Sequence, residues 1–488
     1  MKKLLWLFLL MLFLLSACGG QPVIPGYALE EIVEDNDDIT EYIHVAMPFA
    51  EHEPVQEAEP IPNISCFSYG HEELIDYDFP IPLYLVTQFF AEFCTLATAD
   101  GGYLWGHSLH VPFIFLHTET RSIVANQPDS LGILARVGSV YTGTLPERFP
   151  AAYSFPRIGD RQWAMLPWHE LYNEYTPLRT MAHMSMHVHQ QAIFGSHSGW
   201  DNSHMNNKNA RITIQLEISA LIHALGSTGE ERYAAIQDAL SIRAERRRLF
   251  PSGAVSENVF EVHEGLADYT DIRIIGLELD ELISEYQWRV SSMRYHPSLS
   301  GIFGYLSGSL YGLLLDETGI QWRGDVRYGV DLGRKLQDAL EITYIPAFAD
   351  IDLLSYGYYE IVAFETEREQ SHSRMLDDIR DAFTTQPTLS IPGALVGDSM
   401  QINPARIFPV ARLGVAYGGP TVIVSGVFGY LTVYDGFMVH PDGVQVRMVV
   451  ATDMITNSRR FTAPGWILEL NSGFRLNSQN GNYIVERE

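Results

Sequence analysis

The chain has 488 residues, of which 46% are hydrophobic and 12% aromatic, enough to bury a large core and to fill two or three domains. Its formal charge of −28 excludes nucleic acid as a partner, because phosphates would be repelled. Only three cysteines are present, Cys18, Cys66 and Cys94, which excludes a disulfide-dense scaffold.

The N-terminus reads Met1-Lys2-Lys3, an apolar run from Leu4 to Leu15, then Ser16-Ala17-Cys18-Gly19. Two lysines, a short apolar core and small residues before a cut site are the marks of an export signal. The run is too short for a spanning helix, which needs about 20 residues. The Leu15-Ser16-Ala17-Cys18 box resembles the lipobox of bacterial lipoproteins. That resemblance implies that residues 1–18 are a lipoprotein signal and that Cys18 is acylated. The chain would then sit at the extracytoplasmic face of the cell membrane, held by a lipid anchor. With Cys18 acylated, Cys66 and Cys94 remain, either as a disulfide that an exported compartment permits or as two small buried side chains.

Residues 19–62 carry 11 Asp or Glu, no Lys or Arg and six prolines. Like charges repel and proline blocks regular pairing, so an extended, disordered tether is expected. Residues 63–175 read as a mixed α/β part. It has a helix around Leu83–Ala97 and strand-like runs at Val111–Leu116 and Ser122–Ala125, with a turn at Thr118-Glu119-Thr120 between them.

Residues 176–384 read as helical. Thr176-Pro177 opens one helix, with proline at its first position. A second runs from about 209 to Gly226. A third begins at Thr228, where Thr228-Gly229-Glu230-Glu231 has capping-box spacing and Tyr233, Ile236 and Leu240 share a face. Arg243, Arg246, Arg247 and Arg248 near its end read as a solvated terminus complementing the helix dipole. A fourth helix covers roughly 256–270. In the run 301–312, Gly304, Gly308 and Gly312 fall on one stripe of a buried helix and let a neighbour approach closely. From 385 to 488 the texture is that of strands, with hairpin signals at His440-Pro441-Asp442-Gly443 and Asn480-Gly481. The expected class is α+β: a helical core preceded by a mixed α/β part and followed by an all-β domain.

The segment that bears chemistry is Met181-Ala182-His183-Met184-Ser185-Met186-His187-Val188-His189-Gln190. His183 and His187 are four apart, so on a helix both imidazoles lie on one face and can converge on one metal ion. Spacing alone is a weak signal. The stretch His183–Gln190 together with His263-Glu264-Gly265-Leu266-Ala267-Asp268-Tyr269-Thr270 resembles a gluzincin-type family of exported metallopeptidase-like proteins. That family reads H-E-x-F-H-x-x-Q and, downstream, N-E-G-L-A-E-Y-T. Asp100–Gly106, Val124–Asp129 and Tyr311–Asp316 extend the likeness in the expected order.

The resemblance implies a zincin-like core, with His183, His187 and Glu264 as zinc ligands. It also exposes a departure, since Met184 stands where the family has its catalytic glutamate. A thioether cannot accept a proton, so Met184 cannot act as general base, and an inactive or impaired peptidase that binds a peptide or a cell-envelope partner is expected. Two alternatives stay open. One is an active zinc peptidase with a relocated base, for which Glu217 and Glu261 are candidates; Tyr269 is considered as a transition-state donor but reads first as an ordinary packed tyrosine. The other is a metal-free or copper-binding lipoprotein, since Met181, Met184, Met186 and Met205 lie near His183, His187, His189 and His204 in sequence and thioethers with imidazoles suit Cu(I).

Overall fold

The computed structural model describes residues 79–168, 176–401, 407–410, 412–419, 422–440, 445–450 and 454–488. The expected signal, Cys18, the tether and Cys66 lie outside the described residues. Cys94 is disulfide-bonded. Among the described residues no helix is long and apolar enough to cross a membrane. The class is α+β, and the described chain divides into two units, one ending at Ile361 and the other beginning at Val362.

The first unit opens with α1 (Leu83–Asp100), which stops at Gly101 in the left-handed conformation (φ 55°). Strands β1 (Phe113–Leu116), β2 (Ser122–Ala125), β3 (Leu134–Val137) and β4 (Val140–Thr144) follow. A short ribbon of β5 (Arg157–Ile158) and β6 (Arg161–Gln162) comes next, then β7 (Ala164–Pro167). The main sheet runs in the order β3-β4-β2-β1-β7, with β1 antiparallel to β2 and parallel to β7. All four residues of β1 are buried. Phe113 and Phe115 pack on Phe93 and Phe90 of α1, with ring centroids 5.2 and 5.6 Å apart. Ile114 and Leu116 point into a second cluster with Ile158 and Trp163. Coverage of both faces explains why β1 reads as a continuous apolar run.

The helical part comprises α2 (Thr176–Phe194), α3 (Lys208–Gly226), α4 (Gly229–Leu249) and α5 (Ala254–Phe260). A π-helical turn, Glu261–Gly265, then leads into α6 (Leu266–Ile275), followed by α7 (Leu279–Met293), α8 (Phe303–Glu317) and α9 (Leu332–Ala339). The glycine stripe of α8 faces the π turn. A Cβ on Gly265 would lie 2.4 Å from the Gly304 carbonyl oxygen and 2.5 Å from Gly308 Cα, and one on Gly308 would lie 2.5 Å from the Glu261 oxygen. These are backbone obstacles, so only glycine permits this approach.

Two readings of α4 need correction. Thr228 precedes the helix but its side chain makes no capping bond. Arg243 and Arg246 are not at a solvated end, being 3% and 0% exposed. Arg243 pairs with Glu217 (3.0 Å), Glu261 (2.6 Å) and Asp331 (3.1 Å). Arg246 pairs with Glu217 and with Glu257 (2.9 Å), and Arg247 with Glu257 (3.3 Å) and Asp331. Buried guanidiniums are tolerable only when carboxylates surround them, and those acids come from α3, α5, the π turn and the start of α9, which nothing local to α4 reveals. Arg248 alone behaves as expected, pairing with Glu245 at the exposed end of the helix.

The second unit begins within the 28-residue helix α10 (Tyr358–Thr385), earlier than the strand texture suggests. Ile379 and Phe383 of this helix share a core with Val410, Leu413, Ala416 and Val439, which ties its C-terminal half to the strands. The strands are β8 (Thr388–Pro392), β9 (Val396–Gln401), β10 (Ile407–Val410), β11 (Gly414–Gly418), β12 (Val422–Gly426), β13 (Gly429–Val433) and β14 (Phe437–His440). They continue with β15 (Gln445–Val449), β16 (Ile455–Asn457), β17 (Arg460–Ala463), β18 (Trp466–Leu470), β19 (Phe474–Gln479) and β20 (Asn482–Arg487). They form two sheets, β10-β11-β14-β15-β8-β20-β19 and β16-β17-β18-β13-β12-β9. Leu389, Ile391, Val446 and Met448 from one sheet and Val424, Leu431, Trp466 and Leu468 from the other share one core, giving a sandwich. Both hairpins form: β14 pairs with β15 and β19 with β20. Asn480 (φ 51°) and Gly481 (φ 85°) supply the two positive φ angles that a two-residue turn of this hand requires.

Two outcomes follow from the buried charges. Arg246→Met leaves Glu217 and Glu257 charged and buried, and should lower the stability of the first unit by about 3–5 kcal/mol in urea unfolding. Burial opposes the charged form of Asp331, but Arg243 and Arg247 outweigh it and hold the carboxyl down at about 2 from its ordinary 3.8. A depressed folded-state value means that the stabilisation is complete above about pH 4 and is lost as the pH falls toward 2. The thermal midpoint should therefore drop across that window, and drop less steeply in Asp331→Asn.

Candidate metal centre

Helix α2 presents His183 and His187 on consecutive turns of one face, and the π turn presents Glu264 to both. The donor atoms form a small triangle. His183 Nε2 lies 3.0 Å from His187 Nε2 and 3.5 Å from Glu264 Oε2, and His187 Nε2 lies 3.4 Å from the same oxygen. Ligands about 2.0–2.1 Å from a tetrahedral ion stand roughly 3.4 Å from one another, so the triangle has the size that a small divalent ion needs. These three residues therefore form a grouping that could hold a metal. Its lining is buried and partly aromatic, with Tyr305 stacked on His183 at 5.9 Å and Phe155 edge-on to His187 at 5.6 Å.

The protonation of the rings follows from their other partners. Gln190 Nε2 donates to the carbonyl of His263, which leaves Gln190 Oε1 as an acceptor. His187 Nδ1 lies 2.8 Å from that oxygen and must donate to it, so the lone pair of His187 is on Nε2, facing the triangle. His183 Nδ1 faces Asp271 Oδ2 at 3.7 Å, again an acceptor, which directs the free lone pair of a neutral ring to Nε2. Neutral rings would thus set two lone pairs and a carboxylate against one another with no positive charge between them. In the metal-free protein a proton supplies that charge. Burial disfavours the imidazolium of His183, but hydrogen bonds and the charges of Asp271 and Glu264 outweigh burial and hold the ring up at about 9. Burial likewise disfavours the carboxylate of Glu264, yet His187 and His183 hold it well below its usual range.

Behind the histidines lies a buried ion network. Arg179 donates to Asp271 (2.7 Å) and Glu285 (2.6 Å), and Arg289 donates to both oxygens of Asp268 (2.9 and 3.0 Å). It fixes Asp271 and, through it, the His183 ring. His183, Asp268 and Asp271 also make a possible ligand set, but Asp268 and Asp271 are already neutralised by arginines. Glu264, in contrast, has only histidines as ion-pair partners among the described residues.

The structure sorts the remaining candidates. Met184 is buried, with 4% of its surface exposed. Glu217 and Glu261 are both held by Arg243, and hydroxyls of Tyr311 (2.7 Å) and Ser307 (2.8 Å) donate to them in turn. They belong to the α4 ion cluster. Tyr269 donates to Asp316 (2.7 Å) and accepts from Arg323, so it is a packed tyrosine with a committed hydroxyl. Met181, Met186 and Met205 are fully buried, His189 binds the Ser108 carbonyl at 2.8 Å, and His204 binds Glu257 at 2.9 Å.

Several participants escape a reading of the sequence. Asp271 has a signal, since Glu264, Asp268 and Asp271 fall four and seven apart on one helical stripe. Tyr328 has none. It lies 65 residues past His263, with its hydroxyl 2.8 Å from His263 Nδ1.

The glycine packing predicts a coupled effect. Gly308→Ala should press the π turn away from α8, costing about 1–3 kcal/mol of stability, and should weaken metal uptake measured by equilibrium dialysis although no ligand is changed. Scans against protein-family models, curated proteins and solved structures return no match to this chain.

Proposed function

We propose that the protein is an exported lipoprotein anchored through Cys18. In this reading its helical unit has a zincin-like core and holds zinc on His183, His187 and Glu264. It captures a peptide, a cell-wall fragment or a partner protein in a peptidase-like cleft without cutting it. Zinc is the ordinary choice for a His-His-Glu set.

The observation that carries this reading is Met184 beside a set of converging ligands that is otherwise complete. Bound at such a set, zinc supplies a Lewis acid and lowers the pKa of water to about 7. A positioned general base adds a further 10²- to 10⁴-fold, roughly, and the two carboxylates considered in its place, Glu217 and Glu261, are bound by Arg243. His183, His187 and Glu264 would position an ion, and the thioether of Met184 would offer no proton acceptor beside it. Peptide binding without turnover is the expected result.

The test uses the acylated chain in detergent against mixed peptide pools, with zinc supplied. The expected result is no cleavage above background, and a gain of about 10²-fold or more in Met184→Glu. Robust zinc-dependent cleavage by the unaltered chain, abolished in His183→Ala, would contradict the proposal. Anchoring is tested separately: an alkyne-tagged fatty acid should label the chain in cells, and Cys18→Ala should abolish both the label and membrane retention.

A further inference from the structure

We propose that Phe155, His197, Trp200, His263 and Tyr328 form an aromatic wall beside the metal centre that takes a large apolar side chain of a bound peptide. This rests on the reading of His183, His187 and Glu264 as a metal site in a peptidase-like cleft, and it names the class of ligand held there.

The five residues come from distant parts of the chain and meet around one imidazole. Phe155 stands edge-on to His187 at 5.6 Å between ring centroids, and His263 lies against the same ring at 4.9 Å. His263 in turn meets Trp200 at 5.0 Å, His197 at 5.3 Å and Tyr328 at 5.9 Å. His197 and Trp200 stack on one another at 5.4 Å, with 27° between their planes. Local geometry sets that pair. His197 Nδ1 accepts from the Gly199 backbone N–H at 3.0 Å, and the chain turns at Gly195 and Gly199 with φ of 85° and 89°, values that glycine adopts without strain.

All five rings are half-buried, so each keeps surface that a bound group can cover. The polar atoms of the wall narrow what that group is. A sugar stacked on aromatic rings also needs hydrogen-bond partners for its hydroxyls. Here His197 Nδ1 is taken by Gly199, and His263 Nδ1 is taken by the Tyr328 hydroxyl at 2.8 Å, which also reaches Gln190 at 3.3 Å. Charged side chains gain little. A cationic one would stand beside a divalent ion, which repels it. An acidic one finds no cation in the wall, since burial holds the His197 ring below its ordinary 6.5 and so neutral at pH 7. What remains on offer is ring surface, and apolar side chains lose most water by covering it.

Hydroxamate-capped peptides that differ only in the side chain next to the hydroxamate test wall and metal separately, because the cap engages a divalent ion whatever the side chain. Binding to the acylated chain in detergent, with zinc supplied, is measured by calorimetry. A phenylalanine side chain should bind about tenfold or more tightly than glycine, lysine or glutamate at the same place. In Trp200→Ala the phenylalanine peptide should fall to within about threefold of the glycine one, with zinc still bound, and Trp200→Phe should keep most of the preference. Equal binding across the series by the unaltered chain, a preference for lysine or glutamate, or a phenylalanine preference undiminished in Trp200→Ala would overturn the wall. Displacement of the phenylalanine peptide by an N-acetylglucosamine oligomer would overturn it too, assigning the rings to sugar. If the unaltered chain takes up no zinc, the metal reading fails and the wall with it. If it takes up zinc and binds no member of the series, the wall alone fails.

Discussion

Lone pairs that face one another need positive charge between them, and this requirement organises the first unit. His183 and His187 bring their Nε2 atoms to 3.0 Å, and Glu264 adds a carboxylate oxygen within 3.5 Å of both. Among the described residues a proton on a ring supplies the compensating charge. Everything around the triangle serves to keep it from relaxing. The ion network of Arg179, Arg289, Asp268, Asp271 and Glu285 braces His183. Gln190 and Tyr328 brace His187 and His263.

The third corner depends on backbone geometry. Glu264 is carried on a π-helical turn, a form that occurs mostly as short interruptions at functional sites. This turn sits where α8 has glycine at 304 and 308, so that two backbones touch without side chains between them. On the same turn Glu261 is drawn into the Arg243 cluster. The π turn thus has one carboxylate locked in the structural ion network and another three residues on that faces the histidines.

Much of this was readable in advance, for reasons of periodicity. Histidines four apart, glycines four apart and Asn480-Gly481 between strands are local patterns, and local geometry determines what they do. The arginines of α4 misled because a cluster near a helix end is the same string whether it meets water or carboxylates from α3, α5 and α9. Thr228 and Glu231 have the spacing of a capping box, yet the threonine side chain makes no capping bond. Tyr328 became visible only when the chain was folded, since it acts on a histidine 65 residues away; Asp271 shares a helical stripe with Glu264, but its approach to His183 is set by the fold. In the proposed reading Met184 matters for the carboxylate it lacks, which only the resemblance to a peptidase motif brings out.

The central claim is that His183, His187 and Glu264 hold one divalent ion. Metal analysis of the chain purified without chelators, after incubation with zinc and removal of the excess, tests it most directly. The account predicts one zinc per chain, reduced to a trace in His183→Ala and in Glu264→Gln while both variants keep their secondary structure. A native chain that emerges free of zinc, or variants that retain it in full, would contradict it.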